Sequence, residues 1–247
     1  MFEANMNAEE KPRVLVPPRP GDPFNKVEET IYRRRSVRFF EKQQVPEHLV
    51  RRILEAGRFA PSAGNAQTWK FVVVRDQQML QEMAEDVINA IKRVIGFADY
   101  LEEKKSGKTW RARILMRRFP NTFHPIPFGA MRFMADGKLG VWHNAPTVIL
   151  LLADSRCPGH PGIDVGISGQ NMVLTAHSFG LGTCWVSFCT PLARYAKWRK
   201  KLGIRYPYKL HTSIAIGYPR GQPDGYVTRE TQAIDWFQEN GTFKVVY

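Results

Sequence analysis

The longest apolar run in the chain, Ala145 to Ala153, carries Pro146 near its start and stops at Asp154. It falls well short of the roughly 20 residues that a membrane-spanning helix needs, so it reads as a buried strand. A strand that apolar has to be covered, and the rest of the sequence supplies covering elements. Lys70 to Arg75 (KFVVVR) is β-branched and aromatic and reads as a second strand. Apolar residues then recur at helical spacing in three places: Val27 to Ile31 before a break near Ser36, then Leu49, Val50, Ile53 and Leu54 behind Pro46, and finally Leu80, Met83, Val87, Ile91 and Val94. Asp164 to Phe179 reads as a helix rich in small residues, with Gly180 as its stop. Thr183 to Val186 and Ser213 to Gly217 read as short strands flanking a basic helix, Pro191 to Leu202. Strands separated by one or two helices, without an internal repeat, predict an α+β fold with a mixed sheet between helical layers.

The 247 residues allow one large domain or two small ones. We expect one domain over 25–229 and an extended N-terminal arm over 1–24, where five prolines precede Phe24. A C-terminal tail over 230–247 is too apolar to float free, with Ile234, Trp236, Phe237 and Phe243 in it. The stretch 96–140 reads as a lid or insertion. Within it Trp110, Ile114 and Leu115 suggest a basic amphipathic helix, and Phe119 to Phe128 is Pro-rich and loop-like. Met116, Met131, Met134 and Phe133 suit either an adaptable acceptor pocket or, the plainer expectation, the core.

Charge is concentrated. Of the formal +13, Lys92 to Arg118 brings nine Lys/Arg against Asp99, Glu102 and Glu103, and Arg194 to Lys209 brings seven against no acid. The remainder is neutral in sum. Such surfaces attract nucleic acid, anionic membranes or phosphorylated cofactors, although a pair of solvated helix faces is the ordinary reading. Three cysteines, Cys157, Cys184 and Cys189, lack metal-ligand spacing and suit reduced thiols. With acids at Glu3, Glu9 and Glu10 and no apolar core, the N-terminus does not read as a secretory signal, which makes cytoplasm the expected location.

The familiar strong motifs are missing from the sequence: there is no GxxxxGK loop, no HExxH and no GxSxG, and Gly180-Leu-Gly182 lacks a third glycine. His160 and Asp164 are a lone i, i+4 pair, so no metal site is expected. Two polar segments stand out instead. Arg33 to Arg38 (RRRSVR) places guanidinium groups and a hydroxyl in one short turn, which suits phosphate oxygens. Ala60 to Trp69 (APSAGNAQTW) is a small, polar loop whose Ser, Asn and Gln can hydrogen-bond the edge of a flat heterocycle; a capped turn explains it equally well.

In this order, RRSVRFF followed by VPEHLVRRILEAGRFAPSAGNAQTWKFVVVRD resembles the N-terminal signature of the nitroreductase family of FMN-dependent oxidoreductases. The likeness continues in NAPTVILLLAD, DVGISGQNMVLTAHSFGLGTCWV and AIGYPRGQP, covering about Ile31 to Arg75 and Asn144 to Gly221. The resemblance implies a mainly antiparallel central sheet flanked by helices, an intertwined homodimer with FMN at its interface, and a tail packed on the partner subunit. It also implies roles for residues. Arg34 and Ser36, with Arg35, match the FMN phosphate positions; Arg38 matches the cation near flavin N1/O2; Pro61, Ser62 and Asn65 match the loop along the ring; Val186 and Ser187 fall where backbone approaches N5 and O4. For a second phosphate cation Arg229 is the first choice and Arg220 the second.

Hydride chemistry through a flavin needs no protein nucleophile, so no catalytic side chain is expected. The implied activity is ping-pong transfer from NADPH or NADH to an electron-poor small molecule such as a nitroaromatic or quinone. A flavin-dependent reductive dehalogenase is the alternative within the family, since RRSVRF and VPEHL also resemble iodotyrosine deiodinases. Their Glu, Tyr and Lys lid set is not matched here, because Gly96 stands four residues before Tyr100. A different class, a nucleic-acid-binding protein using Trp110, Tyr195 and Trp198 for stacking, is disfavoured because Tyr195 and Trp198 sit at a helical spacing that packing explains.

Overall fold

The computed structural model describes residues 23–99, 109–120, 124–221, 227, 229 and 232–246. The chain divides into two compact units, Arg35–Pro223 and a terminal unit of Met1–Arg34 with Asp224–Tyr247. In the terminal unit, α1 (Lys26–Arg33) starts at Asn25, whose side chain accepts from the N–H groups of Val27 and Glu28 while Glu28 reaches back to the Asn25 N–H. That reciprocal cap satisfies donors that would otherwise lack partners. The expected tail forms a hairpin, β5 (Ile234–Phe237) against β6 (Phe243–Val246), with Phe237 and Phe243 rings 5.1 Å apart.

The larger unit is built on a four-stranded sheet in the order β1-β2-β4-β3, from β1 (Trp69–Val74), β2 (Thr147–Asp154), β3 (Gly182–Val186) and β4 (Tyr208–Gly217). All its pairs run antiparallel; the parallel element is a single bridge between Ser36 and Thr183. The register of β2 and β4 shifts between Leu151 and Leu152, leaving His211 as a bulge.

Every residue of β2 is buried, and its side chains alternate between two cores. Val148, Leu150 and Leu152 face one cluster with Leu80, Met83 and Val87 of α3 (Gln77–Ala98); Ile149, Leu151 and Ala153 face the other with Ile53 of α2 (Glu47–Arg58) and Met172 of α6 (Pro161–Ser178). Burying each such side chain is worth about 1.5–3 kcal/mol, so this strand anchors both layers. On the α6 side the contact is close. Gly169 lies against the Trp185 ring, and the Ser168 hydroxyl donates to Gly57 O at 2.8 Å. As the sequence predicts, Gly180 ends α6 with φ +75; its N–H donates to His177 O at 2.9 Å and that of Leu181 to Ala176 O at 3.0 Å.

Two expectations are corrected. The Pro-rich stretch taken as loop contains α5 (Pro125–Ala135), following α4 (Thr109–Arg118); Phe128, Met131 and Met134 of α5 are buried in the α3-side core, Met116 is half-buried and Phe133 is exposed. The single basic helix is two pieces, a 3-10 segment Ser187–Arg194 and α7 (Ala196–Lys201), parted by extended Tyr195 at φ −95, ψ 122. Tyr195 donates its hydroxyl to Asp86 O at 2.8 Å and Trp198 its indole N–H to Asp86 Oδ2 at 2.7 Å. These aromatics are engaged inside the fold, not offered for base stacking. Among the described residues no helix is long and apolar enough to cross a membrane.

Candidate functional site

The segment after Arg35 is pinned to the sheet edge. Val37 N–H donates to Thr183 O at 2.8 Å, Phe40 bridges Pro219, and Arg220 N–H donates to Phe39 O at 2.9 Å. A side chain at position 182 would collide with Val37, so Gly182 permits this approach. The result is a pocket of 280 Å3 lined by Arg35, Ser36, Arg38 and Arg220, with the backbone of Gly221 at its rim. Arg220 is paired loosely with Glu41, at 3.7 Å. Three guanidinium groups and a hydroxyl around one hollow form an anion cradle.

Arg38 also acts beyond the pocket. His143 is held below the usual histidine range by burial first and by the Arg38 charge second. Burial raises the Cys184 thiol against the opposing pull of Arg38, and burial pushes Cys189 up to about 12. Both thiols therefore stay protonated and neither is poised as a nucleophile. His143 and Asn144 adopt left-handed backbone, φ +55 and +56.

In the terminal unit, Arg34 caps α1, and its Nε is buried without a hydrogen-bond partner. Burial first, and the neighbouring Arg229 second, lower its affinity for a proton. Arg34 Nε is thus an unpartnered buried donor with a second cation beside it.

Pro61, Ser62 and Asn65 occupy a separate loop. Ser62 Oγ accepts from Gln67 N–H at 2.9 Å, and the backbone is left-handed at Gly64, Asn65 and Gln67, with φ +57, +54 and +46. Left-handed Asn65 and Gln67, on either side of right-handed Ala66, cost energy that the rest of the loop has to offset. This loop does not line the arginine pocket. Val186 ends β3, its carbonyl accepting from Ser213 Oγ at 2.7 Å, and Ser187 lies 3.1 Å from Thr212 Oγ1.

The structure thus brings Arg35, Ser36, Arg38 and Arg220 together and Arg34 together with Arg229, while Pro61–Asn65 and Val186–Ser187 do not line the arginine pocket. Residue patterning pointed to Gln67 only as part of the polar loop and did not point to His143 or Trp142. Their left-handed or buried placement depends on contacts distant in sequence, and the one visible hint was the polar composition of the 60–69 loop.

The sequence model described as "Nitroreductase family" matches residues 31–218. The chain belongs to the nitroreductase family. It is 28% identical over 200 residues to nitroreductase NfnB of Mycolicibacterium smegmatis, covering 77% of this chain and 82% of that protein. A shorter block of 53 residues is 51% identical to an NADH dehydrogenase of Thermus thermophilus, covering 22% of this chain and 26% of that one. Iodotyrosine deiodinase 1 of Mus musculus is 35% identical over 202 residues; the match covers 77% of this chain but 61% of the deiodinase. Among solved structures, an FMN-bound nitroreductase of Desulfitobacterium hafniense shares the fold with a TM-score of 0.62 at 22% identity, over 83% of this chain and 94% of that one. The matched range 31–218 takes in the left-handed loop and all of the arginine pocket except Pro219, Arg220 and Gly221.

Proposed function

We propose that the protein binds FMN and passes hydride from NAD(P)H to an electron-poor acceptor such as a nitroaromatic or quinone, by ping-pong turnover. The observation that carries the reading is the cluster of Arg35, Ser36, Arg38 and Arg220 around one hollow in a nitroreductase. The residues fit the cofactor chemically: guanidinium groups and a serine suit a phosphate, the unpartnered Arg34 Nε suits another anionic contact, and the left-handed loop offers polar groups to a ring edge. At 280 Å3 the pocket is just below the usual 300–1,000 Å3 range of ligand sites, so one chain encloses part of the ligand. Homodimerisation with the cofactor at the subunit interface accounts for that, and lets residues on separate surfaces serve one group.

Bound FMN supplies hydride acceptance and donation, which no side chain provides. The protein's share is electrostatic. Arg38 fixes a positive field where negative charge develops on reduction. His143, kept neutral by burial and by Arg38, adds no competing cation there. Ser36 and the arginines position the ligand, with Arg34 and Arg229 as the further phosphate contacts and Val186–Ser187 as the backbone beside the ring. Reductive dehalogenation, the other expectation, has no matched lid set; Tyr100 lies outside the described residues.

The test is the visible spectrum of purified protein, followed by anaerobic titration with NADH and NADPH and a screen of acceptors. A yellow protein bleached by either nucleotide and reoxidised by a quinone is expected. Colourless protein that takes up no FMN on reconstitution overturns the reading. Sedimentation at micromolar concentration reports the dimer, and a monomer contradicts it.

A further inference from the structure

Ser187, placed beside the flavin ring in the reading above, also opens a second hollow that this reading leaves unused. The cleft measures 400 Å3, and its walls are Ile91 and Val94 of α3, Met131 of α5, and Phe188 and Pro191 of the 3-10 segment. Walls this apolar suit a flat ring system of one or two rings and offer little to a sugar or a free phosphate. Met131 adds a polarizable surface that adapts to ring shape.

One charge faces this cleft. Arg194, the last residue of the 3-10 segment, lines it and is exposed, with no ion pair or side-chain hydrogen bond among the described residues. Asp86 of α3, an acid packed against the same region, is already committed to Lys197 at 2.6 Å and to the Trp198 indole at 2.7 Å. The stretch from Arg194 to Lys209 carries seven Lys/Arg and no acid; Lys197 is neutralised by Asp86, and Arg194 is the member that lines the cleft.

We propose that this cleft seats the acceptor, and that the acceptor class is an aromatic anion: a planar apolar body against Ile91 and Phe188, with a carboxylate or sulfonate held by Arg194. The inference rests on the proposed function and narrows its substrate class. For a nitroaromatic acid the first reduction balances as follows: a hydride from NAD(P)H and one proton from solvent enter, one N–O bond breaks, and water and the nitroso acid leave with NAD(P)+.

Calorimetric titration with naphthalene-2-carboxylate tests the seat directly, on protein as purified and after flavin removal. The neutral 2-naphthalenemethanol serves as the matched probe. Arg194→Gln is expected to weaken carboxylate binding about five- to tenfold and leave the alcohol unchanged. Lys200→Gln, an exposed cation of the same stretch outside the cleft lining, is expected to change neither. With acceptors, Arg194→Gln should raise KM for 4-nitrobenzoate by a similar factor while sparing 4-nitrobenzyl alcohol. Equal binding of the two naphthalene probes, or equal losses in both variants, overturns the proposal. A change of sedimentation in Arg194→Gln without a change in carboxylate binding assigns the cleft to contact with a second copy and also overturns it. Carboxylate binding by a chain that never takes up FMN keeps the cleft and removes the flavin reading; a yellow enzyme that ignores the carboxylate does the reverse.

Discussion

Trp142 donates its indole N–H to Ser213 Oγ at 2.9 Å, and the same hydroxyl donates to the Val186 carbonyl at 2.7 Å. All three residues are buried. One serine thus ties the turn that holds His143 to the end of β3, where Ser187 begins. Ser213→Ala strands the indole donor in the core and is expected to cost about 1–3 kcal/mol, read by urea denaturation. The same variant loosens the Val186–Ser187 junction, so FMN affinity falls with it. An unchanged urea midpoint contradicts this.

The lowered proton affinity of His143 has a defined consequence for acid stability. Below about pH 6.5 the unfolded chain takes up a proton that folded His143 still refuses, so stability falls as pH drops from there towards the folded value. His143→Asn removes the titration and keeps a residue that tolerates the left-handed backbone at φ +55. Urea midpoints measured from pH 8 to pH 5 are expected to slope less steeply in this variant. Identical slopes would show that His143 does not contribute.

Much of the larger unit was legible because its periodicities are strong and its ends are marked. Gly180 sits where its left-handed φ was expected, and β2 lies within two residues of the apolar run that announced it. α5 was missed because Pro125 and Pro127 look like loop. Both fall in the first helical turn, where a backbone N–H has no partner within the helix to lose. The basic helix was read as continuous because nothing local shows that Tyr195 is drawn out to reach Asp86. At the candidate site, Arg35, Ser36 and Arg38 were legible from their cluster. Arg220 joins them through the Phe40–Pro219 bridge and its own N–H bond to Phe39 O, contacts far apart in sequence. The turn at His143 and Asn144 had no such marker.

Gly169 offers a test of layer packing. A methyl group there would overlap the Trp185 ring and crowd Leu151, which is fully buried, so half-buried Trp185 would have to shift. Gly169→Ala is expected to destabilise the fold by about 1–3 kcal/mol despite its gain in helix propensity. Thermal unfolding checks this; an unchanged or higher midpoint would mean that α6 can shift freely.

Arg34 and Arg229 supply the remaining prediction. If they grip the phosphate, Arg34→Gln weakens FMN binding about tenfold or more, the value of one charge-assisted hydrogen bond, while riboflavin, which lacks the phosphate, binds as before. Flavin fluorescence titration measures both ligands. Parallel losses for FMN and riboflavin would place the two arginines elsewhere in the protein's chemistry.

No strand of the central sheet pairs with its neighbour in sequence through a tight hairpin. β2 lies between β1 and β4, each separated from it by helices, and β3 meets β4 only across the segment holding α7. During synthesis, then, the sheet cannot close until β4 has left the ribosome, and the most water-averse strand waits meanwhile with β1 on one edge and the other edge uncovered. Nascent chains stalled before Tyr208 are expected to engage chaperones more strongly than the finished protein does.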